Sequence, residues 1–216
     1  MAVKLVIFDL DGTLLNTIGD LAEAADHMLA LRDLPRHDYA AYCSFVGNGI
    51  MRLVERALPE ELREAEYVAA ARQDFLAYYI DHIDQKTKPY PGIVELLEQL
   101  QAAGIRLAVA SNKFQAGTEK LIRAFFPQIR FEVVFGQRPE VALKPDPAVV
   151  EEILTLTGVA REEALYVGDS GVDMQTARAA CVRLVGVSWG FRSREELEHN
   201  AADCIVDRAE EILRYV

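Results

Sequence analysis

The chain has 216 residues, 51% of them hydrophobic, with 34 acidic against 23 basic side chains and a formal net charge of -11. This composition supports one good core, or one core with a small satellite, and argues against nucleic acid or an anionic membrane as partner. The N-terminal apolar run is broken by Asp9 and Asp11 before signal-peptide length, and no stretch approaches the roughly 18 apolar residues of a membrane span, so a cytoplasmic protein is expected.

In chain order, residues 3–8 read as a fully buried strand that ends in paired acids, Asp9 and Asp11, followed by Gly12. Residues 16–84 read helical throughout. They are too long for a structureless loop, and they hold 13 acids against 6 bases. Within them Leu62, Ala65, Val68, Phe75, Leu76, Tyr79 and Ile83 recur near helical period, Thr17 with Asp20 resembles a capping box, and Pro35 and Pro59 punctuate. From Pro91 the texture changes. A helix between Pro91 and Gly104 precedes a strand over 105–110, a helix near 115–126 and a strand in FEVVFG. DPAVVEEILTLTG then reads as a helix closed by Gly158, and LYVGD and VRLVGV as strands separated by a helix near 171–180. Regular alternation of this kind predicts an α/β fold with a parallel sheet covered on both faces. The predicted domains are an α/β core of residues 1–15 and 85–216 and a helical insert of residues 16–84.

Cys43, Cys181 and Cys204 form no close pair and no metal-like spacing, and His27, His37, His82 and His199 are scattered, so none of these residues suggests a site. In open parallel sheets ligands sit beyond the carboxyl ends of the strands. The predicted strands end in Asp9, in Ser111 and Asn112, and in Asp169. With Asp11 and Asp173 nearby, four carboxylates would crowd one crevice. Such crowding forces protonation or a bound cation, and Mg²⁺ suits two aspartates with an open face. A phosphoryl group there would need donors and a positive charge, which Ser111, Asn112 and Lys144 could supply. Read separately, Asp11–Gly12 could be a plain turn, Ser170–Asp173 a capping box and Lys144 a solvated loop residue.

The ordered series FDLDGTL, ASNK, KPDP and VGDSGVD resembles the four signature motifs of the haloacid dehalogenase superfamily across essentially the whole chain. The resemblance implies a three-layer Rossmann-like core with an all-helical cap inserted after the first motif. It further implies Asp9 as a nucleophile that becomes a phosphoaspartate and Asp11 as general acid, then base. Mg²⁺ would be held by Asp9, the Asp11 carbonyl and Asp169, with Asp173 ordering its shell, and the phosphoryl oxygens by Ser111, Asn112 and Lys144. Asp11 favours phosphoester over halide chemistry, and Thr13 in DGT favours a phosphatase over a mutase.

Within the superfamily the chain looks most like the phosphoglycolate phosphatases, through DLDGTLLNT and through VGNGIMRLVERAL, where Asn48 and Arg52 could reach the non-phosphate end of a small phosphorylated metabolite. It departs from their usual Asp at Asn16. Rival readings are a β-phosphoglucomutase-like mutase, a pyrophosphatase-type hydrolase of the superfamily, a phospho-receiver module and a noncatalytic Mg²⁺ binder. A receiver is about half this length and lacks the insert. A monomer or homodimer is expected. Trp189 is expected to anchor a loop or touch the crevice rim.

Overall fold

A computed structural model describes residues 2–200, 202 and 204–216. In chain order its elements are β1 (Leu5–Phe8), β2 (Leu15–Asn16), α1 (Ile18–Ala30), α2 (Tyr39–Phe45), α3 (Gly49–Ala57), α4 (Ala65–His82), β3 (Lys88–Pro89), α5 (Ile93–Ala102) and β4 (Arg106–Phe114). There follow α6 (Gln115–Phe125), β5 (Phe131–Gln137), α7 (Ala148–Thr157), β6 (Ala164–Gly168), α8 (Gly171–Ala179), β7 (Arg183–Val187), α9 (Arg194–His199) and β8 (Ile205–Val206).

Six strands form one parallel sheet in the order β5-β4-β1-β6-β7-β8, which places β1 between β4 and β6. The two faces of the sheet separate by alternation. Val6 and Phe8 of β1, Leu107 and Val109 of β4, and Leu165 and Val167 of β6 join one buried cluster with α5, α6 and the C-terminal 3₁₀ turn. Leu5 and Ile7, Ala108 and Ala110, and Ala164 and Tyr166 join the other with α7, α8 and α9. Both faces are apolar because both are covered, the expected signature of a buried parallel sheet. This is the three-layer α/β architecture the sequence implies.

The segment between β2 and β3 is all α-helix apart from a 3₁₀ turn at Glu60–Leu62. Helix α4 buries Val68, Ala71, Phe75 and Tyr79. Leu62 and Ala65 do not join that stripe, because the α-helical period begins only at Ala65 and both residues stay outside the core. The segment is tied to the sheet domain at several points. Arg192, after β7, donates to the carbonyls of Cys43, Ser44 and Val46 at the C-terminal end of α2, and Asn112 Nδ2 donates to Gly47 O at 2.9 Å.

Two local readings are corrected, and one pairing is added. The strand expected over 105–110 continues as extended chain through Phe114. Leu15 and Asn16, read as the junction of core and insert, pair antiparallel with Pro89 and Lys88, so the two crossings between the units are zipped together. Thr17 and Asp20 form no capping box: the Thr17 hydroxyl makes no hydrogen bond. Asp20 is fully buried and accepts from the Lys86 and Thr87 backbone N–H groups, both at 2.8 Å, and from the Thr87 hydroxyl at 2.7 Å.

Asp20 therefore fastens the start of α1 to the return crossing, and its charge is satisfied by three donors near a helix N-terminus. Replacing it leaves buried donors without an acceptor. Asp20→Ala should cost about 3–5 kcal/mol in urea unfolding and Thr87→Val about 1 kcal/mol. A neutral Asp20→Ala would show that the crossing is held by packing alone.

Candidate active site

Asp9 follows β1 directly, and its N–H donates to Val167 O of β6 at 2.9 Å, so the residue is fixed by the sheet itself. Asp169 follows β6 and Asp173 lies one turn into α8. One carboxylate oxygen from each of Asp9, Asp169 and Asp173 lies within 4.8 Å of the others, and all three residues are buried. Lys144, 4% exposed, reaches into this group. Its Nζ lies 2.9 Å from Asp9 Oδ1 and donates to Asp173 Oδ1 at 2.8 Å, to Ala110 O at 2.9 Å and to the Tyr166 hydroxyl at 3.0 Å. The contact with Asp9 is an ion pair without hydrogen-bond alignment, so that buried oxygen keeps unused acceptor capacity.

Three carboxylates against one ammonium leave two uncompensated negative charges in a buried site. Burial first, then Asp173, push the Asp9 carboxyl up to about 7 from an ordinary 3.8, even though Lys144 pulls the other way. Burial, Asp173 and Asp9 likewise hold Asp169 well above the carboxylate range. Burial works against the Lys144 charge, but Asp173 and Asp9 outweigh it and hold the ammonium well above the usual lysine range. Oxygen-only donors with a deficit of two charges fit a hard divalent cation.

The open donors for such an ion are Asp9 and Asp169. Asp169 Oδ1 accepts from the Thr13 hydroxyl at 3.1 Å and Oδ2 from Phe191 N at 2.7 Å, which leaves each oxygen a lone pair. Asp173 differs: Oδ1 takes Lys144 and Tyr166 at 2.8 and 3.0 Å, and Oδ2 takes the Ser170 hydroxyl and N–H at 2.6 and 3.1 Å. The capping box read as an alternative at Ser170–Asp173 is present, and the same aspartate also anchors Lys144. Close approach is bought with glycine. Gly12 has φ +90° and a Cβ there would meet Asp169 Oδ2 at 2.3 Å, while one at Gly190 would meet Asp169 Cβ at 2.2 Å.

The remaining residues divide. Ser111 lines the cleft beside Asp9 and Asp11, its hydroxyl accepting from Lys113 N at 3.2 Å. Asn112 spends its amide on Lys144 N, Lys144 O and Gly47 O, so it fixes the lysine's backbone and the loop above. Thr13 is fully buried and faces Asp169 instead of the cleft. Asn48 accepts from Arg56 at 3.0 Å and lines a neighbouring groove, and Arg52 points outward to pair with Glu55 at 2.5 Å; the structure brings neither to the acids. Trp189 anchors its loop by donating to Thr13 O at 3.1 Å.

Sequence reasoning gave no role to Lys113, Tyr79 or Tyr166. Lys113, the last residue of ASNK, lies with Nζ 3.1 and 3.3 Å from the two oxygens of Asp11 and donates to the Tyr79 hydroxyl at 2.5 Å. Its place beside a polar strand end was the available signal. Tyr79 reads as part of a helical stripe and Tyr166 as part of an apolar strand, and only their hydroxyl partners reveal them.

A parallel sheet whose central strand ends in a buried aspartate, faced by a lysine and a second acidic strand end, places the polar groups of an α/β fold at one edge of its sheet. The haloacid dehalogenase-like hydrolase family model matches residues 6–187, and the chain belongs to that family. It is 35% identical to a phosphoglycolate phosphatase of Mesorhizobium japonicum over 99% of this chain and 98% of that protein. It is 34% identical to one of Yersinia pestis, over 98% and 92%. A crystal structure of a predicted phosphoglycolate phosphatase from Haemophilus somnus 129PT superposes with TM-score 0.92 at 29% identity, covering 99% of this chain and 97% of that one. The fold of CbbY from Rhodobacter sphaeroides, in complex with phosphate, is similar at TM-score 0.78 and 24% identity, over 97% of this chain and 96% of that one.

Because the Asp9 carboxyl is raised on folding, its contribution to stability is complete below about pH 4 and is lost as pH climbs through about 7. The metal-free protein should therefore melt lower near pH 8 than near pH 5. Added Mg²⁺ should raise the midpoint, and more so near pH 8, where protons no longer compete for the acids. No shift at either pH, or a larger one near pH 5, would remove the cation from this site.

Proposed function

We propose that the protein is a Mg²⁺-dependent phosphatase that hydrolyses a small phosphomonoester through a phosphoaspartate on Asp9, with 2-phosphoglycolate as the leading substrate. The observation that carries this reading is the Asp9 carboxylate fixed at the end of the central strand, 2.9 Å from Lys144 and facing the cleft, with Asp11 two residues on.

Asp9 attacks phosphorus, and the P–O bond to the alcohol breaks as Asp11 gives its proton to the departing oxygen. Asp11 then takes a proton from water, whose oxygen attacks phosphorus and releases Asp9. Lys144 and Ser111 hold the charge on the non-bridging oxygens, and Asn112 with Asp173 keeps Lys144 in place. When bound between Asp9 and Asp169, Mg²⁺ would supply charge neutralisation at the transferring phosphoryl group. Residues 16–84 serve as a cap. Its Leu21, Val46, Ile50 and Leu53 form an apolar roof over the acids, and the cavity beneath is about 30 Å³, room for one or two waters. Substrate entry therefore requires the cap to lift, and its return excludes bulk water. The roof suits a short leaving group, in keeping with the phosphoglycolate phosphatases to which the chain is similar. Among the described residues no helix is long and apolar enough to cross a membrane.

Asp9→Asn should reduce hydrolysis of p-nitrophenyl phosphate to background. It should also raise the melting temperature of the metal-free protein near pH 8, because one of three crowded charges is gone. Mass spectrometry of acid-quenched wild type should find a labile phosphoryl group on the peptide holding Asp9. Appreciable turnover by Asp9→Asn, or full turnover with no adduct, would end the proposal.

A further inference from the structure

We infer that Lys113 is a positioning residue that orients Asp11 as the proton donor, and that Tyr79 makes this orientation depend on the closed position of the helical segment. The inference rests on the phosphatase reading above and adds two residues to it. The Lys113 side chain is 1% exposed, and the residue lines the cleft with Asp9, Asp11 and Ser111. Its ammonium lies between two partners from different units. On the sheet side are both oxygens of Asp11, at 3.1 and 3.3 Å. On the helical side is the Tyr79 hydroxyl of α4, at 2.5 Å, with the ring centroid 4.8 Å away. Tyr79 is itself fully buried.

A buried ammonium needs hydrogen-bond acceptors, and here they are one carboxylate and one phenol. The carboxylate belongs to the residue just before Gly12, at 13% side-chain exposure, and among the described residues no other side chain hydrogen-bonds to it. Lys113 thus decides which way Asp11 faces. If the helical segment lifts, Tyr79 leaves with it, and Lys113 loses the partner that fixes its far end. Asp11 then loses its fixed direction while the site is open to solvent, when protonating a leaving group would serve no purpose. A purely structural ion pair would tether the two units equally well, but it would not discriminate between leaving groups.

That difference supplies the test. An alkoxide needs its proton as the P–O bond breaks, whereas p-nitrophenolate leaves without one. The ratio kcat/KM reports steps up to the phosphoenzyme, before Asp11 acts as base. For Lys113→Met, kcat/KM with β-glycerophosphate should fall about 30-fold or more while that with p-nitrophenyl phosphate changes less than about 5-fold, within the range general acids contribute. Tyr79→Phe keeps the ring and the packing, and should lower the alkyl substrate about 3–10-fold with the aryl substrate unchanged. Equal losses on both substrates in either variant, or no loss in Lys113→Met, would overturn the assignment while leaving the phosphatase reading intact. A wild-type protein inactive on both substrates with Mg²⁺ present would overturn the two together.

Discussion

The structure depends on an imbalance of charge held out of water. Asp9, Asp169 and Asp173 converge within 4.8 Å and meet one lysine. Such a group is unfavourable alone, and the surrounding architecture consists largely of the means to hold it in place. The sheet fixes Asp9 through its backbone, α8 begins with a box that orients Asp173, and Lys144 is gripped by Ala110 O, Tyr166 and Asp173. Glycines at positions 12 and 190 admit Asp169 where any side chain would collide. A site built this rigidly costs little reorganisation when charge develops on a substrate, which is the condition for electrostatic catalysis.

The same residues carry two tasks. Asn112 stands at a polar strand end and reads in the sequence as a ligand of the phosphoryl oxygens, but its amide bonds both backbone groups of Lys144 and also Gly47 of the helical segment. Lys113 joins Asp11 to Tyr79 in the same manner. Arg192 adds a third link, giving the carbonyls at the end of α2 the donors a helix terminus lacks. Its neighbour Phe191 holds Asp169 through its N–H, so one loop after β7 serves both the acidic cluster and the helical segment.

The sheet was legible because its strands are continuous apolar runs, and the acids because they interrupt those runs at their ends. Both signals are local. What eluded the sequence is nonlocal: Asp20 sits three residues after Thr17, the spacing of a capping box, yet its partners are Lys86 and Thr87, far along the chain. Arg52 and Asn48 lie on a stretch close to the cleft in sequence, but the period of α3 turns Arg52 to solvent, and Asn48 is taken by Arg56. Tyr79 reads as part of a helical stripe and Tyr166 as part of an apolar strand, and both are buried, while their hydroxyls meet Lys113 and Lys144. Lys113 was visible as a letter in a motif, and only distance shows what it grips.

The alternation in β1 carries a further consequence. Because Val6 and Phe8 face one apolar layer and Leu5 and Ile7 the other, sliding the strand by a single position would merely exchange hydrophobes between two equally greasy sides. Oil-and-water preference hardly distinguishes the two alignments. What separates them is that the slipped chain would insert Leu10 among the acids and push a bare carboxylate into the interior, so the proposed nucleophile also locks the threading of the middle strand.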